Sequence, residues 1–167
     1  MTRASAIVPA GTWDATAAVD SVLLDYDQRH RRRIVLTTAA GREVLLDLPR
    51  AARLREGDGL VLAGGGIIRV AARPESLAEI HAHDEGALVR IAWHLGNRHL
   101  PAQFLGDRIR IRVDHVIEEM VERLGGHVAH LEAAFDPESG AYAGGQSHHG
   151  LGHDHDHDHD DDHLHEH

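Results

Sequence analysis

Cysteine and lysine are both missing from this chain of 167 residues. Without cysteine there are no disulfides, no thiolate metal sites and no cysteine nucleophile. Any metal must be held by imidazole and carboxylate, donors that suit nickel, zinc, copper or iron better than a thiolate-seeking ion such as Cu(I). Without lysine all 17 cationic side chains are arginine, a compositional bias to which no function attaches. Long apolar runs are lacking too. Ala6-Ile7-Val8 before Pro9 is too short for a signal-peptide core, and nothing approaches a membrane span. A cytoplasmic protein without a membrane partner is the expectation. No acid-base pair or nucleophile constellation is legible, so an enzyme is not expected.

What is present is unevenly spread. The formal charge is -10, yet from His148 onward there are seven carboxylates and no arginine, which leaves the rest of the chain near neutral. Nothing in that balance asks for nucleic acid. The length suits one ordinary domain or two small ones.

Residues 1–18 carry few signals and are expected to pack loosely. From Val19 to Val70, short apolar runs alternate with turns, which predicts a small β domain. Ile34–Thr37 and Val44–Leu46 flank Ala39-Ala40-Gly41 as a hairpin, and Pro49, unable to donate to a ladder, is expected to end the second strand. Glu56-Gly57-Asp58-Gly59 reads as a turn before Leu60-Val61-Leu62. Gly64-Gly65-Gly66 reads as a tight turn before Ile67–Val70, because no Lys-Ser or Lys-Thr follows to make it a phosphate loop. Arg29, Arg31, Arg32 and Arg33 form the basic cluster of the body. A solvated strand edge neutralised by Asp20, Asp25 and Asp27 is expected, with docking of an acidic partner as the alternative.

Ala71–Pro74 reads as a linker, after which the period changes. A strand over Leu77–Ala82 is followed by a helix that Asp84 caps, with Leu88, Ile91, Ala92 and Leu95 on one face and a stop at Gly96-Asn97. Two strands, Ala102–Leu105 and Arg108–Val113, meet at Gly106-Asp107. Asp114 caps a second helix with Ile117, Met120, Val121 and Leu124 inward, Gly125-Gly126 ends it, and a last strand runs from Val128 to Phe135. The order β-α-β-β-α-β is the split βαβ or ferredoxin-like pattern. An α+β chain is therefore expected: a β-rich unit over 1–74, a ferredoxin-like unit over 75–146, and a tail over 147–167 too polar to offset its chain entropy, hence disordered.

The chemistry lies in histidine, 17 residues in all, nine of them in the tail: His148, His149, His153, His155, His157, His159, His163, His165 and His167. Alternation with aspartate from His153 to His159 places carboxylates beside neutral imidazoles, where they can bind an ion or orient the second ring nitrogen. At two to four imidazoles per ion, such a tract holds about two to four ions of Ni(II), Cu(II) or Zn(II) with little selectivity. His99 is different, since it sits just beyond a helix end between Gly96-Asn97 and Pro101. Alone it cannot make a tight site, and it must borrow ligands from a second copy or from the tail. A purely structural His99 is the competing reading. His115 at the second helix start, His81 with His83, and His127 with His130 are further candidates.

Three segments carry a family resemblance. Asp27-Gln28-Arg29-His30-Arg31-Arg32-Arg33 with Leu48-Pro49-Arg50 and Gly57-Asp58 is one. Trp93-His94-Leu95-Gly96-Asn97-Arg98-His99 is the most specific. Phe135–Tyr142 followed by a histidine-rich tail is the third. In this order they resemble the urease accessory nickel chaperones, the UreE family, over nearly the whole chain. The resemblance implies a peptide- or partner-binding β domain and a ferredoxin-like metal-binding domain. It also implies a homodimer through the C-terminal domain in which the two copies of His99 hold one nickel ion, with tail histidines completing the shell. Delivery of Ni(II) through a urease maturation GTPase to the apo-urease complex is implied as well. Some members carry a further histidine two residues before the position of His115, where this chain has Val113, so a peripheral His-Asp-His site is incomplete. A histidine-rich nickel or zinc storage or detoxification protein is the alternative.

Overall fold

The computed structural model describes residues 1–139, and the tail histidines lie outside them. The α+β class expected from the sequence is found. Ten strands form two sheets. The first contains β1 (Thr2–Val8), β2 (Asp20–Leu24), β3 (His30–Thr37), β4 (Glu43–Arg53), β5 (Gly59–Leu62) and β6 (Ile67–Ala72) in the order β2-β6-β5-β1-β4-β3. Apart from the four-residue helix α1 (Tyr26–Arg29), no α-helix lies within the span of these strands. Val22 and Leu24 of one edge strand share a buried cluster with Leu36 of the other, so the sheet curls on itself around Leu46, Leu60 and Ile68. Ala39 N–H to Ser21 O at 2.8 Å and an Arg42–Asp20 ion pair at 2.8 Å draw these edges together.

The expectation of a loose N-terminus is wrong. β1 lies inside the sheet, parallel to β4 and antiparallel to β5, and Ala4 is fully buried. Beyond β1 the chain stays fastened. Ala10 N–H donates to the buried Asp58 carboxylate at 2.9 Å, and Trp13 Nε1 donates to Gly57 O at 3.2 Å. β4 also runs on to Arg53 rather than ending at Pro49. The β3–β4 register shifts between Arg31 and Arg33, and Pro49 falls in that irregularity, where its missing N–H leaves no ladder bond open. The Gly triplet is a tight turn, with Gly65 and Gly66 at positive φ. The stretch read as a linker is reduced to Arg73 between the two sheets.

The second sheet holds β7 (Pro74–Ala82), β8 (Gln103–Phe104), β9 (Arg108–Arg112) and β10 (Gly126–Ala134) in the order β10-β7-β9-β8, with every pairing antiparallel. Helices α2 (Glu85–Asn97) and α3 (His115–Arg123) pack Ile91, Leu95, Ile117 and Val121 onto Ala78, Ile80, Ile109 and Ile111 of one sheet face. Gly126 is a contact point rather than a mere helix stop. A Cβ there would meet Val121 at 2.6 Å and Ile91 at 2.9 Å. Alternation on β9 turns Arg108, Arg110 and Arg112 to the other face.

The two sheets meet at α1. Asp25 and Gln28 cap it reciprocally, with Gln28 N–H to Asp25 Oδ1 at 2.8 Å and Asp25 N–H to Gln28 Oε1 at 3.0 Å. Tyr26 packs edge-on against the buried Phe135 at 5.4 Å, and the Arg112 guanidinium lies 5.3 Å from the Tyr26 ring centre. Arg29, expected on a solvated edge, is 1% exposed and donates to Phe135 O at 2.5 Å. The acids assigned to neutralise it are engaged elsewhere: Asp20 with Arg42, Asp25 as the cap, Asp27 with Arg112. Its nearby carboxylate is Glu75 at 3.9 Å. Burial lowers the Arg29 pKa, which Glu75 and Asp136 partly oppose.

Candidate metal centre

His99 follows the C-cap of α2. Asp84 starts this helix by accepting from Ala87 N–H at 2.7 Å, and Ala87, Ile91 and Leu95 anchor its inner face. Its end differs from the expectation. Gly96 and Asn97 lie within the helix, Arg98 is the C-cap, and His99 takes the left-handed conformation at φ 54°. His99 N–H donates to Gly96 O at 3.0 Å and Leu100 N–H to Leu95 O at 3.4 Å, the paired bonds of a Schellman motif. Glycine usually fills that position, because a Cβ there costs about 1–2 kcal/mol. Among the described residues His99 is the one non-glycine at positive φ. Such outliers cluster at binding sites.

The side chain so placed is exposed and borders a groove of about 380 Å³ with Tyr26, Leu95, Gly96, Phe104 and Glu138. Val89 and Trp93, four apart on the outer face of α2, are 67% and 63% exposed. Phe104 on β8 is exposed as well, and a Cβ at Gly96 would meet nothing within 4 Å. His99 thus shares its groove with the exposed Phe104, and Val89 and Trp93 leave the outer face of the same helix uncovered. The carbonyls ending α2 lend the position of His99 partial negative charge, which favours a cation.

The described chain ends in the same groove. Asp136 N–H donates to Gln103 Oε1 at 3.2 Å and Glu138 N–H to Ala102 O at 2.8 Å. Arg53 holds the Asp136 carboxylate at 2.7 Å and the Ser139 hydroxyl at 3.0 Å. Ser139, the last described residue, therefore lines the same groove as His99. This strap and Tyr26 were not foreseen in the site. Tyr26 lies far from it in sequence, and the Val89–Trp93 spacing was the one available sign of an exposed stripe.

The other candidates stand apart. His115 is the first residue of α3, exposed, at the end of the helix where the dipole is positive. Asp114 beside it is committed as cap, accepting from Val116 N–H at 3.0 Å and Ile117 N–H at 3.2 Å. His81 pairs with Glu79 at 2.8 Å, and Glu79 also binds Arg110, whose guanidinium chiefly holds its pKa below the ordinary glutamate value. His83 pairs with Asp84 at 3.0 Å. His127 lies in register with His81, and His130 bonds Glu118. Among the described residues no three His, Asp or Glu side chains converge into a set that could hold a metal ion. No helix there is long and apolar enough to cross a membrane.

The model of the N-terminal domain of the UreE urease accessory protein matches residues 4–73, and that of its C-terminal domain matches residues 75–167. The urease accessory protein UreE of Bradyrhizobium sp. (strain ORS 278) is 55% identical over 150 residues, 90% of this chain and 71% of that protein. That of Beijerinckia indica is 51% identical over 150 residues, 89% of this chain and 86% of that protein. For Rhodobacter capsulatus the identity is 44% over 154 residues, with 92% and 93% covered. The resemblance seen in the Trp93–His99 segment extends along the chain, which belongs to the UreE urease accessory protein family.

Proposed function

We propose that the chain is a non-catalytic nickel metallochaperone of urease assembly, which carries Ni(II) as cargo to a urease maturation GTPase and the apo-urease complex in the cytoplasm. One observation supports this most: an exposed imidazole in a conformation that favours glycine, at the end of a helix whose Val89 and Trp93 are uncovered. One imidazole is too few for a tight site. A second copy docked over Val89, Trp93 and Phe104 would bring a second His99 to the same ion, and tail histidines leaving along the groove would complete the shell. In this reading the second unit is the ferredoxin-like metal-binding and dimerisation part, and the first is the docking part. The nine tail histidines are a reservoir, and His115 is a peripheral ligand at most. Imidazole and carboxylate ligands without thiolate suit a cargo that must be released, and Zn(II) or Cu(II) would also bind.

Transfer tests the proposal. Nickel-loaded protein is mixed with apo-urease and its GTPase at limiting nickel, and the rate of activation is compared with the same nickel supplied as free salt. Faster activation, lost with His99→Ala, is expected. A protein that retains its nickel and slows activation is a store, and the proposal fails.

A further inference from the structure

The arginines that follow α1 are not used by the metal centre. Arg31, Arg32 and Arg33 lie on β3, an edge strand of the first sheet, and Arg50 lies in the adjoining irregular stretch of β4. All four are exposed. Arg31 and Arg32 each give one N–H to a main-chain carbonyl, Asp27 O and Leu48 O, at 3.2 Å. Among the described residues no carboxylate lies within ion-pair distance of any of the four. The acid in register with Arg33 is Asp47, and Arg3 binds it at 2.5 Å. Arg42 has Asp20, Arg69 has Glu56 and Arg112 has Asp27, whereas Arg55, Arg73, Arg90 and Arg98 also lie outside any ion pair among the described residues but do not follow one another along a strand as Arg31, Arg32 and Arg33 do. A charged edge discourages strand addition. That role does not require several like charges left without counter-charge, an arrangement that repels itself.

Counter-charge lies within reach on the same chain. Arg53, which holds Ser139, is the register partner of His30, the residue before Arg31. His30 lies roughly 10 Å along β3 from Arg33, and the described chain ends at the tip of the Arg53 side chain opposite it. Beyond it the stretch from Asp154 to Glu166 has seven carboxylates and no arginine. The segment from Ser139 to Asp154 spans up to about 50 Å when extended, ample to reach the edge.

We propose that the metal-free acidic segment Asp154–Glu166 docks on the edge formed by Arg31, Arg32, Arg33 and Arg50. Guanidinium forks match carboxylates, so the aspartates engage the edge while the interleaved imidazoles stay free for metal. The docked segment excludes any other acidic partner from that edge. A divalent ion taken up by the tail cancels carboxylate charge, so metal loading loosens the contact. Docking does not depend on the identity of the metal or on His99, and it can fail while the nickel reading stands.

Because the chain has no cysteine, Gly150→Cys accepts a single nitroxide label in the full-length protein. In metal-free protein at low salt, the amides of Arg31, Arg32, Arg33, Arg50 and Ala51 should lose intensity selectively. Intensity should return at about 1 M salt, where the Debye length is about 3 Å. It should also return in the Arg31→Glu/Arg33→Glu variant, whose exposed positions leave the core intact. Uniform broadening, or broadening centred on the His99 groove or on Arg108 and Arg110, overturns the proposal. So does broadening at the arginine edge that charge reversal leaves unchanged.

Discussion

His99 and His115 are both exposed histidines at helix ends, and their settings are opposite. His99 follows the last turn of α2, the partially negative end of that helix, which favours a cation. His115 opens α3, at the partially positive end. His99 holds a backbone conformation that glycine would adopt more easily, in a groove that it shares with Tyr26, Phe104 and Glu138. His115 sits in ordinary helical backbone next to an aspartate already occupied as cap. Field and neighbouring surface, rather than residue type, are the grounds on which we propose His99 over His115 as a metal ligand.

Nickel affinity should break the comparison most sharply. His99→Ala should weaken the tightest nickel site by more than the ~10–100-fold typical of losing a supporting partner, whereas His115→Ala should leave it unchanged. Isothermal titration of both variants checks this, and equal losses would remove the distinction. Because imidazole must be deprotonated to bind, nickel should also be released as pH falls. Uptake measured against pH reads that loss directly.

Stability should separate the same pair with opposite signs. His99→Gly relieves the left-handed strain and should raise stability by about 1 kcal/mol while abolishing the tight site. His115→Gly puts glycine into helical backbone and should lower it by up to about 1 kcal/mol. Thermal melts of the metal-free variants test both signs.

The smallest effects concern the caps that start the two helices. Asp84→Ala and Asp114→Ala should each lower stability through the lost cap. The Ala87 N–H chiefly holds the Asp84 carboxyl below the usual aspartate range. The folded pKa is therefore below the unfolded one, so this contribution is fully present above about pH 4 and is lost as pH falls through the folded value. Asp84→Asn keeps a cap and should flatten that part of the acid limb of the Tm–pH profile.

Legibility in the sequence followed hydrophobic period. Ile109 and Ile111 alternate with arginines, and Ile91 and Leu95 recur at helical spacing, so β9 and α2 could be read directly. β1 could not, because Thr2–Ala6 has no large apolar side chain and owes its place to ladder bonds with β4 and β5. Pro49 misled because a strand can pass a proline at an irregularity. Gly96 misled because the tightest turn residue in a sequence is not always the one that turns. Within the site, His99 was legible as a candidate, and its left-handed conformation was not. The groove was not, since Tyr26, Phe104 and Glu138 meet only through the junction around Arg29 and Phe135.

The central claim is that two copies of His99 share one ion. Its most direct test is native mass spectrometry of protein truncated after Gly150, titrated with nickel. The account predicts a dimer carrying a single nickel ion that disappears with His99→Ala and persists with His115→Ala. A nickel-loaded monomer, or a dimer whose nickel survives His99→Ala, would contradict it.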